Sequence, residues 1–342
     1  QDQVFDVPRA HMYLRVKSPL VARDAGGAAQ AALFAALVED QLNEFSWPAR
    51  LAGLDYSLTA HARGFDLHIA GYSNRQGLLL NKVAESIRKA QFTQERFAIR
   101  KAALLRDWKN RDHNSPYQVL LPKIAALQVS PFWSDDAMVK ALENKTWEQF
   151  RLFSQAILRD ASLETLFYGN LFRQEAIKLA SLAEHQLLGV RTGRTPPSTK
   201  IVQLSPEGRP WLYRQPIQHN DNIALLYTQA LDDTVYDAAH MQVLRQILQP
   251  AFFDQLRTEK QLGYVVSLVP LPLRTLEGNA FVVQSPTTAE AELVKEIDEF
   301  LSGQKSAIAA NLVENREAIS RRLREPSRSL AEQADRFWNA IV

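Results

Sequence analysis

The 342-residue chain contains no cysteine. This excludes disulfides, a thiolate nucleophile and any zinc site built on sulfur. It suits an oxidising compartment in which mispairing is avoided, without fixing the compartment. An excess of charge of one sign is also missing: 40 Lys and Arg stand against 38 Asp and Glu, for a net charge of +2. The densest basic stretch, Ser320-Arg321-Arg322-Leu323-Arg324, reads as a solvated helix end. Binding to a phosphate backbone needs clustered positive charge, so nucleic acid is not expected as a partner. The longest apolar run, around residues 28–38, is short and alanine-rich. It cannot span a bilayer, and no membrane partner is expected.

Several catalytic signatures are absent as well. There is no Gly-x-Ser-x-Gly elbow and no phosphate-binding P-loop. The seven histidines form neither His-x-x-Glu-His nor His-Glu-x-x-His, the helical spacings that place two imidazoles on one metal. No bound cofactor and no metal ligand are therefore expected of this chain. His11, His61 and His68 fall on one polar sheet face, where a three-nitrogen site is geometrically open. Histidines so placed more often face solvent or substrate.

What is present is ordinary globular material: 46% hydrophobic and 23% charged residues, in a length that suggests about two domains. Residues 9–17 alternate as a strand, with Met12, Leu14 and Val16 opposing His11, Tyr13 and Arg15. A long apolar helix over about 28–45 follows, and Pro48 is expected to kink or restart it. A hairpin over 54–61 and 64–71 puts Leu54, Tyr56, Leu58, Phe65, Leu67 and Ile69 on one face. Thr93, Ser134 and Thr146 are expected N-caps, the last with capping-box spacing to Gln149. A strand at 163–168 and a helix at 172–188 close the first unit. The Pro- and Gly-rich stretch 189–199 reads as a linker. Beyond it, strands are expected near 200–204, 211–217 and 223–231. A helix over 234–259, strands at 264–269 and 279–284, and helices near 289–301, 307–324 and 329–342 follow.

The order repeats: strand, long helix, hairpin, helices. This argues for one α+β unit used twice, as domains 1–190 and 200–342 joined by linker 191–199. Each domain is expected to be a mainly antiparallel sheet packed on one face by helices. The second lacks counterparts of 163–168 and 172–188, and the first lacks counterparts of 200–217. The chain is therefore expected to be an interior piece of a longer polypeptide.

The most informative stretch is Phe252–Val266, FFDQLRTEKQLGYVV. It runs from a helix end through Gly263 into a β-branched strand start. Arg257 and Tyr264 stand seven residues apart across that junction. A guanidinium and a phenol are groups that an acyl-transfer site uses to hold a peptide backbone and a developing oxyanion. Read without further context, the same residues also fit a surface cation near a helix C-terminus, a helix-ending glycine and an edge-strand aromatic.

The run Leu256-Arg257-Thr258-Glu259-Lys260-Gln261-Leu262-Gly263-Tyr264, with Val282-Val283-Gln284-Ser285, resembles the fourth domain of the pitrilysin/insulysin family of zinc endopeptidases. Val7-Pro8-Arg9-Ala10, Leu42-Asn43-Glu44-Phe45, Leu51-Ala52-Gly53-Leu54-Asp55-Tyr56 and Gly71-Tyr72 resemble its third domain. The resemblance implies half of a clamshell that closes around peptides and small unfolded proteins. The zinc, its ligands and the general base would be supplied by an N-terminal half, in the same polypeptide or a separate chain, so this chain alone would be inactive. By that match Arg257 contacts the substrate backbone and Tyr264 donates to the oxyanion, while Phe253 lines a substrate side-chain pocket or packs in the core. The resemblance implies a periplasmic location, with a cytoplasmic one as the alternative. A non-catalytic binding or scaffold subunit on the same fold is the competing expectation.

Overall fold

The computed structural model describes residues 4–188, 198–205, 207 and 210–341. Of the expected linker 191–199, only Ser198 and Thr199 lie inside the described residues. In chain order the elements begin with β1 (Arg9–Lys17), α1 (Pro19–Ala22), α2 (Ala25–Leu51), β2 (Leu54–His61), β3 (Gly64–Tyr72), α3 (Ser73–Arg88) and α4 (Gln94–Asn110). Next come α5 (Pro116–Gln128), β4 (Val129–Ser130), α6 (Asp135–Glu143), α7 (Trp147–Ala156), β5 (Ser162–Gly169) and α8 (Arg173–Leu187). The remainder comprises β6 (Lys200–Ile201), β7 (Asn222–Gln229), α9 (Val235–Phe253), β8 (Val265–Pro270), β9 (Gly278–Ser285), α10 (Glu290–Gly303), α11 (Lys305–Arg324) and α12 (Leu330–Ile341). The architecture is α+β with antiparallel sheets packed by helices, as expected.

Two compact units form. One gathers Gln1–Lys109, Pro131–Thr199 and Ser327–Val342; the other gathers Asn110–Ser130 and Lys200–Pro326. They therefore depart from a linear division at 190 and 200. Helix α5 packs on β7 and β9 of the second unit, and α12 packs on β1 and β5 of the first.

The first unit is built on an antiparallel sheet ordered β2-β3-β1-β5. The alternation of β1 buries Ala10, Met12, Leu14 and Val16 against the apolar stripe of α2, where Leu33, Phe34, Leu37 and Val38 are buried. The dry hairpin face is the expected one: Leu54, Tyr56, Leu58, Phe65, Leu67 and Ile69 are all buried. The opposite, polar face is partly covered, because Trp338 of α12 stacks on Tyr13 at 5.4 Å and Asp335 accepts the Tyr13 hydroxyl proton at 2.6 Å. Thr93, Ser134 and Thr146 cap their helices as read, Thr146 in a full capping box with Gln149. Pro48 does not stop α2, which runs on to Leu51. The proline falls within the last turn, where only one exposed carbonyl loses its partner and the Ala52 amide still bonds back to Pro48 and Ala49.

The second unit repeats the start of this topology. Its sheet is ordered β7-β9-β8, so β8, β9 and β7 take the places of β2, β3 and β1. The central strand β9 is buried along its whole length. Phe252 at the end of α9 anchors the core, edge-on to Phe281 of β9 at 5.3 Å and to Phe300 of α10 at 5.1 Å. The strand expected at 211–217 is absent: these residues make no ladder, and Trp211, Leu212 and Tyr213 are exposed. Pro210 and Pro216 bracket the stretch, and a proline can donate to no neighbour. The strand expected at 200–204 is reduced to β6, paired with β4.

Candidate active site

The helix expected over 234–259 is α-helical only to Phe253. Asp254–Glu259 form a π-helical turn, in which the Lys260 amide bonds back to the Gln255 carbonyl at 3.0 Å, five residues away. Leu256 is buried inside this turn while Arg257 follows it toward the surface. Such widened turns recur at functional sites because they re-aim one side chain. Gln261 then takes a left-handed conformation, φ 51°, unfavourable for a residue with a Cβ. Gly263 follows, and here only glycine fits: a Cβ would lie 1.9 Å from the Gln284 carbonyl oxygen of β9. Close approach of that backbone to the central strand brings Tyr264 to the mouth of β8.

Arg257, Tyr264 and Phe253 come together. With Thr258, Gln261, Leu262, Gly263, Pro286 and Thr287 they line one open cleft of about 630 Å³. Arg257 Nη1 donates to the Gly263 carbonyl at 2.8 Å, which ties the guanidinium to the turn that carries Tyr264 and leaves other N–H groups of its fork for a ligand. Phe253 is 46% exposed and Tyr264 53%. Phe253 lies on the wall of the cleft, and the neighbouring Phe252 fills the core.

Two partners were not legible as site residues. The Tyr264 hydroxyl donates to Asp221 Oδ2. Gln284 Nε2 donates to the same carboxylate oxygen at 2.8 Å and lies 2.6 Å from the phenolic oxygen. The bond to Asp221 holds the phenol above its ordinary ionisation range, and the phenol in turn holds the carboxyl of Asp221 below its own. Tyr264 is thus a neutral donor at physiological pH. Asp221 lies 43 residues upstream and belongs to no motif. Gln284 stands in the Val-Val-Gln-Ser run noted above, although nothing in that run specified a role.

The histidines on the polar face of the first unit do not converge as a trio. His11 Nδ1 and His68 Nε2 approach to 3.1 Å, and burial lowers the pKa of both imidazoles. His61 lies apart, its Nδ1 accepting from the Arg63 amide and its Nε2 3.5 Å from Asp66. Among the described residues no group of three His, Cys, Asp or Glu could hold a metal ion. This donor set therefore does not fit a zinc site.

Comparison with known proteins bears on the whole chain. Residues 1–141 match the family described as the middle or third domain of peptidase M16, and residues 243–338 match one described as the PQQ synthase PqqF-like C-terminal lobe domain 4. Insulin-degrading enzyme of Homo sapiens is 28% identical over 354 residues, covering 100% of this chain and 34% of the relative. The crystal structure of pitrilysin superposes with a TM-score of 0.80 at 21% identity, over 96% of this chain and 35% of that one. A peptidase M16 inactive domain from Pseudomonas fluorescens superposes with a TM-score of 0.70 at 15% identity, over 97% of this chain and 82% of the other. The chain spans about a third of the length of the curated relatives it matches. With third-domain and fourth-domain matches in the expected order, the chain belongs to the pitrilysin/insulysin (peptidase M16) family and corresponds to its C-terminal half.

Proposed function

We propose that this chain is the substrate-binding half of a zinc-dependent endopeptidase of peptides and small unfolded proteins. The observation that carries the reading is the meeting of a guanidinium, a half-exposed phenol and a half-exposed aromatic ring on one open cleft. Arg257 would donate to substrate backbone carbonyls with the part of its fork not spent on Gly263. Tyr264 would donate to the oxyanion of the tetrahedral intermediate, acting where charge develops. Phe253 would form one wall of a pocket for an apolar side chain. Zinc and the general base would come from an N-terminal half, the partner implied by the length of the relatives. Because the cleft would be closed by that second half, opening to admit substrate would gate turnover. The periplasmic location is part of the same proposal, and fractionation of the source cells tests it.

The test is hydrolysis of a fluorogenic peptide by the full-length protein and its Tyr264→Phe variant. Unchanged turnover in the variant removes the oxyanion role. The similarity to the inactive M16 domain supports a second reading, a scaffold subunit that keeps the fold without chemistry. The upstream sequence separates the two. An intact His-x-x-Glu-His there favours the enzyme, and a degenerate one favours the scaffold.

A further inference from the structure

We propose that Asp221 is a positioning residue for Tyr264: its carboxylate, braced by Gln284, accepts the phenolic proton and fixes the phenol over the cleft until a bound substrate supplies a competing oxyanion. The proposal rests on the reading of Tyr264 as an oxyanion donor. The three residues form a row across one end of the sheet. Asp221 immediately precedes β7, Tyr264 immediately precedes β8, and Gln284 lies on the strand between them, paired with Ile223 on one side and Val265 on the other. The hydrogen bond from Tyr264 to Asp221 therefore bridges the two outer strands across the central one.

A half-exposed tyrosine at an edge-strand start has little packing to hold its rotamer. Asp221 supplies what packing does not. Its carboxylate is buried, among the described residues it has no Lys or Arg within ion-pair distance, and its Oδ2 accepts from both the phenol and Gln284. The charged and titratable groups facing it are Tyr264 and His219. His219 Nδ1 accepts from the Asp221 amide at 3.0 Å and lies 3.7 Å from Oδ1, beyond hydrogen-bond distance. Arg257 is bonded instead to the Gly263 carbonyl.

Gln284 shows that the arrangement is imposed. Its side chain is fully buried, and its Oε1 has no hydrogen-bond partner, a state that costs free energy. The reverse amide orientation would set Oε1 against a carboxylate oxygen now 2.8 Å from Nε2, which is worse. The carboxylate thus dictates which end of the amide faces it. Gln284 also keeps Asp221 satisfied when the phenol turns its single proton to a substrate oxyanion. That turn exchanges one hydrogen bond for another, and no covalent bond forms or breaks.

The experiment uses the full-length protein. Tyrosinate absorbance, taken as the difference from Tyr264→Phe, follows ionisation of this one phenol in wild type and in the isosteric Asp221→Asn variant. The expected result is ionisation at lower pH in Asp221→Asn, with the alkaline limb of kcat/KM for a fluorogenic peptide moving the same way. Asp221→Ala is expected to lower kcat/KM about tenfold in the wild-type background and to change it less than about twofold in the Tyr264→Phe background, as for residues acting through one another. Identical phenol titration in wild type and Asp221→Asn overturns the proposal, as does an equal loss in both backgrounds. Should Asp221→Ala fail to fold, the Asn variant decides. A shifted phenol in a protein that cleaves no peptide sustains the tether and overturns the peptidase reading alone.

Discussion

At the scale of single residues, the phenol of Tyr264 carries the sharpest expectation. It keeps its proton at neutral pH and lies exposed at the cleft, so its removal deletes a donor and little packing. Tyr264→Phe in the full-length protein is expected to lower kcat about 100- to 1,000-fold, with only a small fall in melting temperature by calorimetry, because Gln284 still donates to Asp221. Asp66 makes a different, structural prediction. Burial pushes its carboxyl upward, but two parallel bonds from Arg15, each 2.7 Å, and the nearby His61 outweigh this and bring it from 3.8 to about 2. A carboxyl depressed in the folded state stabilises above its unfolded pKa and loses that contribution as pH falls through the folded one. The window runs from pH 3.8 down to about 2, and the contribution is about 2 kcal/mol. The half-buried His11–His68 pair acts earlier. Its pKa values lie below 6.5 when folded, so acid protonates the unfolded state first and stability declines as pH drops below that value. Urea titrations of wild type against Asp66→Asn and His68→Gln should show the lower step lost in the first variant and the upper step reduced in the second.

At the scale of elements, the turn from α9 into β8 is where local chemistry and packing have to agree. Gly263→Ala forces a methyl against the Gln284 carbonyl, a backbone atom that cannot yield without separating β8 from β9. The expected cost is about 2 kcal/mol or more, accompanied by disorder of Tyr264, readable as loss of protection in hydrogen exchange across 264–269. Phe252→Ala leaves a void between Phe281 and Phe300 and is expected to cost about 3–5 kcal/mol. The neighbouring Phe253→Ala should leave stability nearly unchanged and raise KM for substrates with an apolar side chain. Much of this level was legible beforehand. Period-two alternation marked β1, β2 and β3, and Thr93, Ser134 and Thr146 marked three helix starts, because these signals act within a few residues of chain. The π turn at 254–259 was not legible, since a widened turn leaves the helical pattern of apolar residues intact. Trp211, Leu212 and Tyr213 suggested a strand because their type suits one, but no neighbouring backbone pairs with them. Asp221 escaped notice for a related reason. It meets Tyr264 across a sheet, and a contact spanning 43 residues leaves no spacing to detect.

At the scale of the whole chain, the repeated strand order shared by β2-β3-β1 and β8-β9-β7 argues that one unit was used twice. The residue after the glycine that opens the hairpin is Leu54 in the first unit and Tyr264 in the second. Two groups that orient a substrate do not by themselves hydrolyse it. Positioning and oxyanion donation amplify a reaction that needs an activated nucleophile, and on the proposed reading that nucleophile is supplied by the N-terminal half. This chain expressed alone is therefore expected to bind peptide without cleaving it. Fluorescence polarisation should detect weak binding that Arg257→Ala diminishes, while mass spectrometry of the peptide after long incubation should show it intact. Mixing with a separately expressed N-terminal half of the same full-length protein should restore cleavage, and the Tyr264→Phe form of this chain should restore it about 100- to 1,000-fold less well. Cleavage by this chain alone would place the nucleophile on this side of the clamshell and would require a different chemistry for the cleft.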